Sequence, residues 1–117
     1  LRTETLLGQV EEINGIKVLV ARVPSSRIEI MREMADLIRD KLKSVILVLG
    51  TISEGRPVFL AAVTPDLVAR GYDAGKIVRE VAQVTGGGGG GKPNLAQAGG
   101  KHKEKLDEAL RLVKTLV

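Results

Sequence analysis

Six glycines stand in a row at positions 86–91. Glycine loses more backbone freedom on folding than any other residue, so ordering such a run is costly. A floppy linker is one reading. Against it, the run lies between two helical patterns, and its continuation, Lys92-Pro93-Asn94-Leu95-Ala96-Gln97-Ala98-Gly99-Gly100, is not the usual linker mix of glycine and serine. The other reading is a backbone nest. Without Cβ atoms, the N–H groups around Gly88, Gly89, Gly90 and Gly91 can turn toward an anion. A helix starting at Lys101 would add a positive dipole end, and Lys92, Lys101, His102 and Lys103 would surround that point with side-chain charge. Phosphate is the expected ligand. Asn94 and Gln97 either read polar groups on it or brace the loop through backbone hydrogen bonds.

A chain of 117 residues is expected to form one domain, residues 1–117. Zero cysteines exclude a disulfide scaffold, and with a single histidine they exclude Cys/His zinc sites. No apolar run approaches the ~20 residues of a membrane-spanning helix, so no membrane partner is expected. Polar groups at Arg2, Thr3 and Glu4 come too early for a secretory leader. The start at Leu1 rather than methionine leads to the expectation of a fragment of something longer. Phe59 and Tyr72 are the only aromatics, too few for a nucleic-acid reader built on stacking platforms. The formal charge of +4 is uneven: residues 1–85 hold 12 basic and 11 acidic groups, residues 86–117 hold 6 and 3. The excess lies beside the glycines.

Strand and helix patterns alternate along the chain. Ile16–Val23 is β-branched and apolar, and Asn14-Gly15 before it favours a type I′ hairpin turn. Leu6–Ile13 is the partner strand if that hairpin forms, although its apolar spacing suits a helix equally. Ser26-Arg27-Ile28-Glu29 reads as a capping box opening a helix with a stripe through Ile30, Met34, Leu37 and Ile38. Met31 and Met34 are core filler. Val45–Gly50 is a buried strand, Glu54-Gly55-Arg56 a turn, and Pro57–Val63 the returning strand. Thr64-Pro65-Asp66 opens a short helix that Gly71 stops, and Asp73 caps another over 74–84. Lys92–Gly100 continues as irregular chain, and 101–117 forms the last helix. The expected fold is α+β or mixed α/β: a mixed sheet of four to five strands with helices packed on it, and a C-terminal helix after a glycine-rich loop.

Gly86 to Lys92 satisfies seven positions of the phosphate-binding G-x-x-x-x-G-K-[ST] motif, but Pro93 stands where a magnesium-binding hydroxyl is needed, and a helix, not a strand, precedes it. Six glycines meet G-x-G-x-x-G trivially. Glu29, Glu33, Asp36 and Asp40 recur at helical spacing beside Arg32, Arg39 and Lys43, the pattern of a solvated face. His102 has no acid or thiol partner in sequence and suits a surface or phosphate-contacting role. No catalytic residue and no metal site is expected.

The stretch Gly86 to Gly100 closely resembles the signature of the C-terminal domain of alanyl-tRNA synthetases: a glycine run, a basic residue, proline, two variable residues, then Ala-Gln-x-Gly-Gly. The resemblance continues through 14–23, Met31 to Leu42, and Arg56 to Leu67. The same domain type is the accessory domain of DHH-type phosphoesterases, where a histidine stands at the position of Lys92; the metal-binding Asp-His-His motif of those enzymes is absent from this sequence. The resemblance implies a non-catalytic tRNA-binding appendage that contacts the outer corner of tRNA and helps place its acceptor end for aminoacylation and editing. It also implies ATP, magnesium and zinc only in other domains of a parent ligase, those domains as partners, a cytoplasmic location, and homodimerisation through a helical segment missing or truncated here. An oligonucleotide-binding accessory domain, a dimerisation module and DNA binding are the competing readings.

Overall fold

The computed structural model describes residues 2–117. Six strands form one mixed sheet: β1 (Glu11–Ile13), β2 (Ile16–Arg22), β3 (Ile46–Ser53), β4 (Arg56–Val63), β5 (Gly88–Gly91) and β6 (Leu95–Gly99), in spatial order β1-β2-β3-β4-β6-β5. Only β2 and β3 are parallel, joined by the crossover helix α2 (Ile28–Leu42). The other neighbours are antiparallel, and two of them are tight hairpins. Asn14-Gly15 and Glu54-Gly55 occupy the left-handed region in both residues, with φ of 52° and 77° and of 51° and 76°, as a type I′ turn demands.

Strand alternation sorts the side chains into two cores. Val18, Ile46, Val48, Phe59, Ala61 and Ala96 point to the face covered by α4 (Ala74–Val84) and α5 (Leu106–Leu112). Leu19, Leu47, Leu49, Leu60 and Ala62 point to the opposite face, where Met31, Ala35 and Ile38 of α2 and Leu6 of α1 (Thr3–Leu7) meet them. Asp73 caps α4 as its position before the apolar stripe requires, its carboxylate accepting from the Lys76 amide at 3.2 Å.

The α+β class stands, and the sheet exceeds the four or five strands read from sequence. The added strands come from the region taken for loop: Gly88–Gly91 and Leu95–Gly99 pair antiparallel and join the sheet through β4. The glycines therefore lie extended in an edge strand of a hairpin rather than curled into an anion nest. Three other expectations also change. Residues 6–13 divide, with Leu6 fully buried in α1 and only Glu11–Ile13 extended. α2 starts one residue later than the capping box requires, so the Ser26 hydroxyl donates to the Pro24 carbonyl at 2.9 Å instead of capping the helix. No helix begins at Lys101: a bend and a 3-10 turn over Lys103–Lys105 precede α5, which places no helix dipole there.

α3 (Pro65–Ala69) is tied to the start of β3 by a side-chain clamp. The Thr64 hydroxyl donates to Asp66 at 2.6 Å, the Ser44 hydroxyl donates to the other carboxylate oxygen, and Thr64 accepts from the Val45 amide at 3.0 Å. The hydrogen bonds from Ser44 and then Thr64 hold the Asp66 carboxyl below its ordinary value. A depressed carboxylate stabilises the fold above its unfolded-state pKa, and that contribution is lost as pH falls through the lower folded value. Asp66→Asn is expected to lower the urea midpoint at pH 7, and the gap to the natural sequence is expected to close below about pH 4.

Candidate nucleic-acid interface

The glycine hairpin is covered on one face and bare on the other, and its glycines divide accordingly. Phe59, Ala98 and Gly89 lie in one row of the sheet, and Ala61, Ala96 and Gly91 in the next, all facing α4. Small residues let the helix settle onto this pair of strands. A Cβ on Gly91 would lie 2.8 Å from the Leu95 carbonyl, and one on Gly75 of α4 would lie 3.0 Å from the Gly91 carbonyl. A Cβ on Gly89 would overlap Gln97 and Ala98, one on Gly87 would overlap Gly99, and one on Gly100 would overlap the buried Thr85 side chain. Crowding by backbone, and at Gly100 by the Thr85 side chain, explains these five positions without reference to a ligand.

Gly88 and Gly90 alternate with them and face the other way. A Cβ on Gly88 would meet nothing within 4 Å; one on Gly90 would meet only Arg79 Nη2, at 3.3 Å. On this side the rows run Leu60–Gln97–Gly90 and Val58–Gly99–Gly88. α2 roofs the sheet as far as β4, so β6 and β5 remain uncovered beyond its edge. The result is a trough with a backbone floor and α2 as its wall.

Three adjoining hollows make up the trough. One of about 390 Å³ lies between Arg32, Gly90, Lys92, Asn94 and Gln97. A second, about 360 Å³, lies between Ile28, Gly88, Gln97 and Gly99. The third, about 450 Å³, is bounded by Glu54, Arg56, Gly99, Gly100 and Lys101. Gln97 separates the first two, and Gly99 and Val58 are shared by the second and third. At ~3.4 Å per residue the five-residue β6 gives the floor a length on the order of 15 Å.

The charge along it is cationic. Lys92 stands at the hairpin turn, Arg32 in the wall, and Arg56 and Lys101 at the far end with Glu54 as the only acid. None of these four cations is in a salt bridge among the described residues. Elsewhere Arg22 pairs with Asp107 at 3.2 Å and Lys114 with Glu11 at 2.8 Å. Unpaired cations along a shallow floor suit a ligand whose negative charge is spread along a chain.

Of the residues singled out from sequence, Gly88, Gly90, Gly91, Lys92, Asn94, Gln97, Gly99, Gly100 and Lys101 line this trough, Gly91 and Gly100 by backbone. Gly89 also lines it by backbone, its Cα face turned toward α4. His102 and Lys103 lie outside it: the His102 ring packs over Gly86, with its Nδ1 3.7 Å from Glu104 Oε1, and Lys103 is exposed in the 3-10 turn. Sequence reasoning missed Arg32, Arg56 and the apolar wall at Ile28. Arg32 sits among acids on a helix surface, and only the position of α2 across from β6 brings it to Gln97. No group of His, Asp or Glu among the described residues could hold a metal ion, and no helix there is long and apolar enough to cross a membrane.

Comparison with known proteins agrees with this architecture. Residues 15–117 match the DHHA1 domain model, and the chain belongs to that family. An alanine–tRNA ligase of Dehalococcoides mccartyi is 54% identical over 114 residues, which cover 97% of this chain and 13% of the relative. One from Geobacillus thermodenitrificans is 47% identical over 117 residues, again 13% of its length. The chain thus spans about an eighth of the curated relatives it matches. The crystal structure of the C-Ala domain from Aquifex aeolicus alanyl-tRNA synthetase superposes with a TM-score of 0.82 at 28% identity, covering 92% of this chain and 96% of that one. A solved DHH-domain protein shares the fold with a TM-score of 0.63 at 16% identity, over 28% of its chain.

The two glycine sets are expected to separate by mutation. Gly89→Ala should destabilise the fold by about 1–3 kcal/mol, the range of an overpacked core, while Gly88→Ala should leave the urea midpoint at or above that of the natural sequence. Equal losses at both positions would contradict the assignment of faces.

Proposed function

We propose that this chain is the tRNA-binding module of an alanine–tRNA ligase. It would hold the outer corner of the folded tRNA against the glycine trough and so help position the acceptor end for charging and editing carried out by other domains. It is not itself catalytic and needs no cofactor to bind. Its partners are tRNA and the remaining domains of the ligase, in the cytoplasm.

The observation that carries this reading is the bare glycine floor set among the unpaired cations Lys92, Arg56 and Lys101. Backbone at the surface lets sugar–phosphate approach closely, and cations spread along it contact phosphates without reading sequence. With Phe59 buried and Tyr72 lying across the molecule on the α4 side, the trough has no stacking platform. A folded RNA would be recognised mainly by its shape and phosphate positions. The likeness to alanine–tRNA ligases and to the C-Ala domain supports the same reading.

Titration against a tRNA with the alanine anticodon, a second tRNA and a duplex DNA of equal length, each at two salt concentrations, tests it. Salt-dependent binding to both tRNAs, tighter than to DNA, is expected; no tRNA binding at either salt overturns the proposal. Lys92→Ala and Lys101→Ala should each weaken tRNA binding and flatten the dependence of log K on log salt by about one unit.

A further inference from the structure

Arg32 of α2 reaches over the trough wall and donates to Gln97 Oε1 at 2.6 Å. A guanidinium carries only donors. The Gln97 atom facing it is therefore the carbonyl oxygen, and the amide nitrogen must point away. Gln97 stands in the row between Leu60 and Gly90, at the boundary of two hollows, and its amide nitrogen has no partner in the fold among the described residues. Gly90 beside it contributes no side chain that could meet that nitrogen.

We propose that Arg32 is a positioning residue that fixes Gln97 as a two-proton donor in the middle of the trough, where it takes an acceptor on a nucleobase edge. This rests on the tRNA-binding reading and adds to it a group, held in the middle of the trough, able to discriminate between bases. A free glutamine pairs with adenine through both ends of its amide, accepting from N6 and donating to N7. Arg32 takes one of the two lone pairs on the Gln97 oxygen and fixes its direction, which weakens the paired contact to adenine and leaves the amide nitrogen free to donate. Gln97 favours edges that offer acceptors, such as O6 and N7 of guanine or O4 of uracil, over the mixed edge of adenine. The cations on either side suit phosphates; the neutral amide between them suits a base.

The test uses the 117-residue chain and tRNA transcripts. Gln97→Ala is expected to weaken binding about five- to tenfold, the worth of one net hydrogen bond, with the salt slope unchanged. Arg32→Ala should lose a similar factor with the slope also unchanged, and the double variant should lose no more than Gln97→Ala alone. Arg32→Lys, which also offers only donors, should retain most of the affinity. Changing each unpaired purine of the two corner loops between guanine and adenine should reveal one position that costs the natural sequence about fivefold and costs Gln97→Ala nothing. Additive losses, with the Arg32→Ala slope flattened by about one unit, would show Arg32 to be a phosphate contact and overturn the proposal; so would the lack of any loop position coupled to Gln97. The free protein gives an independent readout. Nitrogen relaxation of the Gln97 side-chain amide should be that of an ordered group and become mobile in Arg32→Ala. A mobile amide in the natural sequence overturns the positioning role. An ordered amide without tRNA binding would instead overturn the function on which it rests.

Discussion

The close approach of α4 to the glycine hairpin is the constraint on which the rest of the molecule depends. A Cβ at Gly75 of α4 would press on the Gly91 carbonyl, and beneath the helix β6 and its exit leave no room for a Cβ at Gly87, Gly89 or Gly91. Strand alternation turns that packing requirement into a surface property. If every second residue of β5 must be glycine to lie this close to β6 beneath α4, the residues between them decide the other face, and Gly88 and Gly90 leave it bare. The entropic cost of ordering four extended glycines is offset by ladder bonds to β6 and by the burial of Ile77, Val78, Val81 and Ala82 beneath them.

Charge acts on this frame locally rather than through its total. The net +4 is modest, and Arg22 and Lys114 are held by acids on neighbouring elements, pairs that contribute little to stability because both partners stay in water. The cations that border the trough are not held in this way. Those free to meet phosphate are spaced by rigid parts: the β5–β6 turn for Lys92, and the β3–β4 hairpin end and the exit of β6 for Arg56 and Lys101. A site whose cations are fixed by strand and helix geometry recognises an arrangement of phosphates, which is what distinguishes a folded RNA from an extended one.

Much of the fold is legible in the sequence. Asn14-Gly15, the apolar run at 45–50, Asp73 and the stripe through Ile77, Val78 and Val81 each carry one physical instruction, and each acts locally. The glycine hairpin is not legible in that way. Glycine has low strand propensity, and the reason these glycines are extended is a helix packed against them and a partner strand, β6, that is itself held by β4, more than 20 residues earlier in the chain. The site is half legible for the same reason. The residues of the signature, Gly86 to Gly100, are consecutive and announce themselves. Arg32 and Arg56 come from other elements, and only the strand order β3-β4-β6-β5 makes them neighbours of Gln97 and Gly99. His102 shows the reverse error: it is adjacent in sequence to the site, but the bend at Lys101 carries it away toward Gly86.

The claim at the centre of this account is that RNA lies on the open face of the glycine hairpin. Amide chemical shifts of the isotope-labelled chain, followed while tRNA is added, test it most directly. The account predicts that the largest changes fall on Gly88, Gly90, Lys92, Gln97, Gly99 and Lys101, with Arg32 and Arg56 beside them and the outer surface of α5 unmoved. Changes concentrated on α4 and α5, with the glycines of β5 silent, would contradict it.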